Sequence, residues 1–300
     1  MKIQKIVLIG FNRSHLLIQN YKYIRSHYNG LIDLYIDGAR ENNYNDQDEQ
    51  NKMKIFFSSL VDDNLIENYS DLNRGCRNGV IYAITESFKS SNNCLIIEDD
   101  CFVSPTFFDC FNYFLDQQEK NLVVAAQCLF NSPKSLQYYI SHSIQVWGWG
   151  CTKDVWEGFI NNNPEDLFKF WNDEFKGNFF FKWTNFIKSL IAESINTWDY
   201  SFKSYLISKD IKTVSFNKNM VDNKGFDSGT HKTTKSKIPF FTNKIVPTNI
   251  ILNQKLIKKF NNKEFLSIKN IFIAISNYFL FQLGFFRIGK KLKPVKSLQK

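Results

Sequence analysis

The sequence predicts an α/β fold: a mainly parallel, mixed sheet with helices on its faces, followed by a helical, basic C-terminal tail. Three observations carry this reading. Short apolar runs alternate with amphipathic stretches as far as Ala126. Hydrophobic residues make up 43% and aromatics 16% of the 300-residue chain, which is enough for a sizeable core. The excess of positive charge is confined to the last fifth. Strand and helix in strict alternation is the pattern of a sheet whose crossovers run over its faces.

The elements follow in order. Lys5–Gly10 (KIVLIG) is a first strand. It lacks the length and cleavage site of a signal peptide, so a cytoplasmic location is the expectation. Asn12-Arg13-Ser14 then opens an amphipathic helix running to about Tyr28, with Ser14 placed as its cap. Ile32–Ile36 is a second strand closing on Asp37-Gly38, and the polar, acidic residues 40–53 read as a loop. Gly75–Lys89 carries helical spacing at Val80, Ile81, Ile84 and Phe88. Cys94–Ile97 is an apolar strand running straight into Glu98-Asp99-Asp100. Pro105–Glu119 is a helix with Pro near its start, and Leu122–Ala126 and Val214–Phe216 are further strands. All six tryptophans fall between Trp147 and Trp198, among helical segments.

Charge placement narrows the function. The net charge is +9, but Asn253–Lys300 holds eleven Lys/Arg and one acid, Glu264, leaving residues 1–252 at −1. A balanced body disfavours a nucleic-acid partner. The tail combines lysines with the apolar run Ile271–Ile288, which is short for a membrane span of about 20 residues. It reads as an interfacial helix giving peripheral membrane contact through residues 253–300, or as a helix packed on the body. The six cysteines form no C-x-x-C pair and read as buried free thiols.

In a parallel sheet, ligands bind beyond the carboxyl ends of the strands. The polar clusters lie there: Asn12-Arg13, Asp37, and the acids after Ile97. Adjacent aspartates behind four apolar residues need a cation, an ion pair or water. Mn²⁺ or Mg²⁺ with one or two carboxylates, completed by phosphate oxygens, satisfies that need. A solvated turn is the plainer alternative.

The segment Cys94–Phe108 (CLIIEDDCFVSPTFF) resembles the donor-binding segment of GT-A-fold glycosyltransferases of the N-acetylglucosaminyltransferase I type and their bacterial sugar-transferase relatives. The likeness extends to Ile9–Arg13 (IGFNR), Ile36–Gly38, Asn73–Gly79 (NRGCRNG), Trp147–Trp156 (WGWGCTKDVW), Asn196–Phe202 (NTWDYSF) and Asn223–His231 (NKGFDSGTH). It spans about residues 5–235. The resemblance implies a GT-A, Rossmann-like domain over residues 1–240, with a donor half at about 1–130 and an acceptor half at about 131–240. The tail, residues 241–300, lies outside it. It further implies Asp100 as a direct metal ligand, Asp99 at the ribose or donor sugar, and Glu98 supporting the nucleotide. Asn12, Arg13 and Asp37 would lie along the nucleotide, and Asn73 and Arg77 are further donor-pocket candidates.

Asp199 in Trp198-Asp199 is the candidate general base, although the family has two adjacent acids where this chain continues with Tyr200; Asp173 is the runner-up. Trp147 and Trp149 are candidates for a sugar-ring platform, with Gly148 and Gly150 allowing close approach, or for core positions. His231 is a candidate late metal ligand. The activity expected is transfer of a sugar from a nucleoside-diphosphate-sugar donor to a glycan or glycolipid hydroxyl, in cell-surface polysaccharide or lipopolysaccharide synthesis, and the resemblance implies inversion. A sugar-phosphate nucleotidyltransferase is the enzymatic alternative, disfavoured by the single glycine of IGFNRSH. A non-catalytic membrane or carbohydrate-binding protein is the other.

Overall fold

The computed structural model describes residues 2–128, 135–194, 197–225, 240–241, 251–252, 255, 268–283, 285–288 and 291–294. The first half is built of β1 (Lys5–Gly10), α1 (Ser14–Arg25), β2 (Leu31–Ile36), α2 (Tyr44–Ser58), β3 (Leu65–Tyr69), α3 (Gly75–Phe88) and β4 (Asn93–Glu98). It continues with β5 (Cys101–Val103), α4 (Pro105–Gln117), β6 (Val123–Ala125), β7 (Gln137–Ser141) and β8 (Trp149–Thr152). Then come α5 (Lys153–Ile160), α6 (Pro164–Lys169) with a π-turn at Phe170–Glu174, α7 (Phe179–Ser194), α8 (Asp199–Ser208), β9 (Thr213–Phe216) and β10 (Val221–Asn223). The chain ends in β11 (Ile251–Leu252), α9 (Ile268–Gln282), β12 (Phe285–Ile288) and β13 (Lys291–Pro294).

Among the described residues the main sheet has the order β11-β7-β9-β6-β8-β4-β1-β2-β3. Pairings β4-β1, β1-β2 and β2-β3 are parallel, so the carboxyl ends of four strands gather at one edge. The other half is mixed, with β8 antiparallel to both β4 and β6. Alternation along each strand feeds two cores. Ile6, Leu8, Leu95 and Ile97 pack with α1, α2 and α4 on one face. Val7, Ile9, Cys94 and Ile96 pack with α3, α5 and α8 on the other. All eight are at most 9% exposed, and burying a side chain of this size stabilises by roughly 1.5–3 kcal/mol.

Three expectations need correction, and two strands went unread. Residues 44–58 form a helix, not a loop: the Asn43 side chain accepts from the Asp46 N–H at 3.1 Å as a helix cap. Its inward face is Asp46, Gln50, Met53 and Phe57, helical in spacing but polar in its first half. Ser14 is not the cap of α1. Its N–H and hydroxyl donate instead to Glu49 of α2, at 2.8 and 2.6 Å. Edge strand β3 (LIENY) and strand β7 had no apolar signature, since β3 is half exposed throughout. Finally, Trp149 lies in a strand, with its ring stacked on Trp198 at 5.5 Å.

The cysteines are free, five of them buried and Cys76 exposed. The tail helix α9 lies against α7, where Tyr278 and Phe281 meet Trp183 at 5.0 and 5.4 Å. No helix among the described residues is long and apolar enough to cross a membrane.

Candidate functional site

A cleft of about 750 Å³ opens where β1, β2, β3 and β4 end. Its lining includes Asn12, Arg13, Asp37, Asn73, Glu98 and Asp99. Six of the expected donor-site residues therefore share one cavity.

The acidic strand end is held from three sides. On α1, the buried Asn20 amide donates to the carbonyls of Glu98, Asp99 and Cys101 at 3.0, 3.3 and 3.0 Å. The Asp99 N–H extends the parallel ladder to the Ile9 carbonyl at 2.8 Å. The loop after β10 closes over Asp100, whose carbonyl accepts the Lys224 N–H at 2.8 Å. A Cβ at Gly225 would collide with the Asp100 carboxylate, so only glycine lets this loop approach so closely.

Arg13, at the N-terminal end of α1, grips both aspartates. Its Nη2 and Nε donate to the two oxygens of Asp99, and its Nη1 donates to Asp100 Oδ2 at 2.7 Å. Asp99 is 2% and Asp100 8% exposed. The Arg13 side chain keeps 19% of its surface, on the cleft side. Burial opposes the guanidinium charge, but Asp99 and Asp100 outweigh it and push its pKa up. The Asp99 carboxyl is pushed up by burial and pulled back by Arg13. Glu98 is pushed up to about 8, first by burial and then by Asp100 and Asp99.

The donor chemistry here fits a divalent cation, since two aspartates supply hard oxygen ligands beside a cleft large enough for phosphates. Arg13 stands where that positive charge is required. No three acid, histidine or cysteine side chains form a metal cage among the described residues.

The other expected residues divide clearly. Asp37 lies in the cleft wall, but its oxygens accept the N–H groups of Arg74 (3.0 Å) and Gly75 (3.0 Å). It thus anchors the start of α3, where Gly75 has φ 74. Burial pushes the Asp37 carboxyl up, and those N–H groups lower it again. The Asn12 amide donates to buried Asp46 at 2.7 Å, and the Asn73 amide to the Gly38 carbonyl at 2.7 Å. Both shape the wall from outside the strands.

Arg77 does not line the cleft. It donates to the Thr197 carbonyl at 2.6 Å and so ties α3 to the turn bearing Asp199. Asp199 opens α8, accepts the Thr197 hydroxyl, and is near enough to Glu98 for its charge to raise that group's pKa. Asp173 is exposed on the π-turn and outside the cleft lining.

Trp149 is 0% exposed and cannot be a sugar platform. Gly150 makes room for the Phe111 ring and Gly148 for Val103, so both glycines serve internal packing. Trp147 is half-buried against the first core. His231 lies outside the described residues.

Sequence reading missed Arg40, Arg74, Tyr69 and Tyr82, which also line the cleft. The Arg74 guanidinium lies 4.0 Å from the Tyr82 ring centre and that of Arg40 5.4 Å from Phe11. Arg74 sits within NRGCRNG, where the glycine that follows it at the start of α3 was the available signal.

No family model matches the chain, and no curated protein matches it. Among solved structures, a mannosyltransferase from Pyrobaculum calidifontis in complex with GDP-Man and Mn²⁺ aligns at 10% identity and a TM-score of 0.40, covering 70% of this chain and 69% of that one. An inositol-1-phosphate CTP transferase from T. maritima aligns at 10% identity and a TM-score of 0.36, with 72% and 86% covered. A putative glucose-1-phosphate thymidylyltransferase from Bacillus anthracis aligns at 11% identity and 0.33, with 54% and 76% covered. The architecture rests on the sheet order given above, not on these alignments.

The electrostatics of Glu98 predict a pH effect on stability in metal-free protein. Its pKa rises from 4.5 to about 8 on folding, so between those values the native state holds more protons than the unfolded state. Its contribution to stability therefore falls as pH rises through this window. Glu98→Gln removes that loss, and its denaturant midpoint relative to wild type should rise between about pH 5 and about pH 9. A difference independent of pH contradicts the assignment.

Proposed function

We propose that this chain is a metal-dependent glycosyltransferase that moves a sugar from a nucleoside-diphosphate-sugar to a hydroxyl acceptor, with inversion. The observation that carries the reading is the cleft at the ends of β1–β4, lined by Asp99, Arg13, Arg40 and Arg74, with Asp100 just behind that lining and bonded to Arg13. Arg74 offers its guanidinium to a diphosphate, Arg13 being bonded to Asp99 and Asp100 and Arg40 to Asp46, and the wall between Asp37 and Tyr82 suits the nucleoside. Asp100, with Asp99 beside it, would hold Mn²⁺ or Mg²⁺, which when bound supplies charge neutralisation for the leaving diphosphate. Asp199 is the group to take the acceptor's proton, and Asn20 and Arg77 keep the two acidic segments in register. The donor half of the domain is then about residues 1–130 and the acceptor half about 131–240.

One observation weighs against the nucleotidyltransferase alternative. The N-terminus of α1, where such an enzyme would receive triphosphate, already donates its Ser14 N–H and hydroxyl to Glu49. Calorimetry with a panel of nucleoside-diphosphate sugars, with and without Mn²⁺ or Mg²⁺, tests the reading. One donor should bind only with metal, and Asp100→Asn should abolish that binding. Asp199→Asn should keep it while transfer drops by about 10²–10⁴-fold. Undiminished binding by Asp100→Asn, or pyrophosphate release from a nucleoside triphosphate and a sugar phosphate, contradicts it.

We also propose that the tail rests on an anionic membrane surface, at the cytoplasmic face, where a glycan or glycolipid acceptor would be met. Phe272, Phe279 and Leu283 are 69%, 61% and 71% exposed. Their spacing puts them on one side of α9, opposite the Tyr278 and Phe281 rings half-buried against α7. Eleven Lys/Arg in residues 253–300 supply the matching charge. The full chain should float with anionic vesicles and not with neutral ones. Serine at all three positions should abolish flotation while the melting transition persists. Equal flotation of the two proteins overturns this placement.

A further inference from the structure

Asp99 and Asp100 have a cation already, and it is covalently part of the chain. The three nitrogens that Arg13 presents are all committed to these carboxylates, with Asp100 Oδ2 at 2.7 Å. The second Asp100 oxygen accepts the Cys101 thiol at 3.2 Å, so each of its oxygens already has a donor. Gly225 seals the outer side, where any larger residue would strike both Asp100 and the Arg13 guanidinium. A metal ion and this guanidinium would claim the same oxygen atoms.

Arg13 has somewhere else to go. It lines the cleft and keeps 19% of its side-chain surface there, and a guanidinium pairs as well with phosphate as with carboxylate. Turning it to the cleft would leave Glu98, Asp99 and Asp100 together with no partner guanidinium, a state strongly disfavoured until a cation replaces it. Neither the ion nor the diphosphate is then received well alone.

We infer that Arg13 is a built-in competitor for the divalent cation, which makes the ion and an anionic diphosphate bind only as a pair. The inference rests on the metal-dependent reading above and adds to it an order of events. Apo protein holds its aspartates closed. A diphosphate would draw the guanidinium into the cleft, leaving Asp99 and Asp100 free to hold the ion. By linkage, each ligand raises the affinity of the other by the same factor. Lys224 stays outside this exchange, since its ammonium lies 3.7 Å from the Phe102 ring centre.

The test is equilibrium Mn²⁺ binding, read by the paramagnetic signal of the free ion, on the full chain without sugar donor. Wild type should bind Mn²⁺ weakly alone. Arg13→Gln, which frees both aspartates, should bind it about tenfold or more tightly with no nucleotide, and Arg13→Gln with Asp100→Asn should lose that gain. If Arg13→Gln melts without metal, Mn²⁺ should restore its cooperative melting transition while shifting that of wild type little. Arg13→Lys, which keeps one charge but cannot bridge two carboxylates, should fall between. Arg13→Gln binding Mn²⁺ no better than wild type, or wild type binding it tightly unaided, overturns the inference. Adding UDP, GDP and CDP separately tests the underlying reading: wild-type Mn²⁺ affinity should rise with at least one of them. If none acts while Arg13→Gln still gains, the competitor stands and the donor assignment fails.

Discussion

The pairing of one guanidinium with two carboxylates at the end of β4 is the interaction on which the rest of the site depends. Asp99 and Asp100 are almost wholly removed from water, where unpaired charge is strongly disfavoured. Arg13 can reach them because β1 and β4 are parallel neighbours in register, Ile9 beside Glu98, so the turn after one strand faces the turn after the other. Asn20, about two turns further along α1, fixes the same acidic turn through its carbonyls. Helix α1 thus holds both the backbone and the side chains of the acidic segment. The site is positioned by one helix and two strands, with the Lys224–Gly225 loop closing over it.

That arrangement depends in turn on the sheet. The alternation of Ile6 and Leu8 against Val7 and Ile9 buries both faces of β1, which makes it a central strand and puts its carboxyl end in the middle of the cleft. The antiparallel β8 beyond β4 brings Trp149 beneath the sheet, where it packs with Trp156, Trp198 and Phe202. This aromatic block seats the start of α8, and Arg77 binds the Thr197 carbonyl just before it. Asp199 is thereby held near Glu98, outside the residues that line the cleft.

Much of this was legible in the residues. Strands β1, β2 and β4 announce themselves by continuous apolar runs, and their polar followers mark the ligand edge. What escaped notice did so for physical reasons. Helix α2 has Asp46 and Gln50 on its inward face because they bond Arg40 and the Asp37 carbonyl, so its period carries no apolar signal at the start. Edge strand β3 is half in water and has no alternation to read. Trp149 invited a sugar-binding reading, but a wide flat side chain buries as readily in a core as it stacks on a ring. Asp37 sits where a nucleoside contact was expected, yet its oxygens hold the start of α3. The Arg13 clamp itself needs a register between β1 and β4 that no local pattern supplies.

The most direct measurement is the anomalous scattering of manganese in crystals of the full chain grown with Mn²⁺ and the nucleoside diphosphate that binds it. The account predicts one peak in coordination contact with Asp100 and with a phosphate oxygen, and Arg13 turned from the aspartates onto the diphosphate. A nucleotide bound in the cleft with no manganese at Asp100, and Arg13 still bridging Asp99 and Asp100, would contradict it.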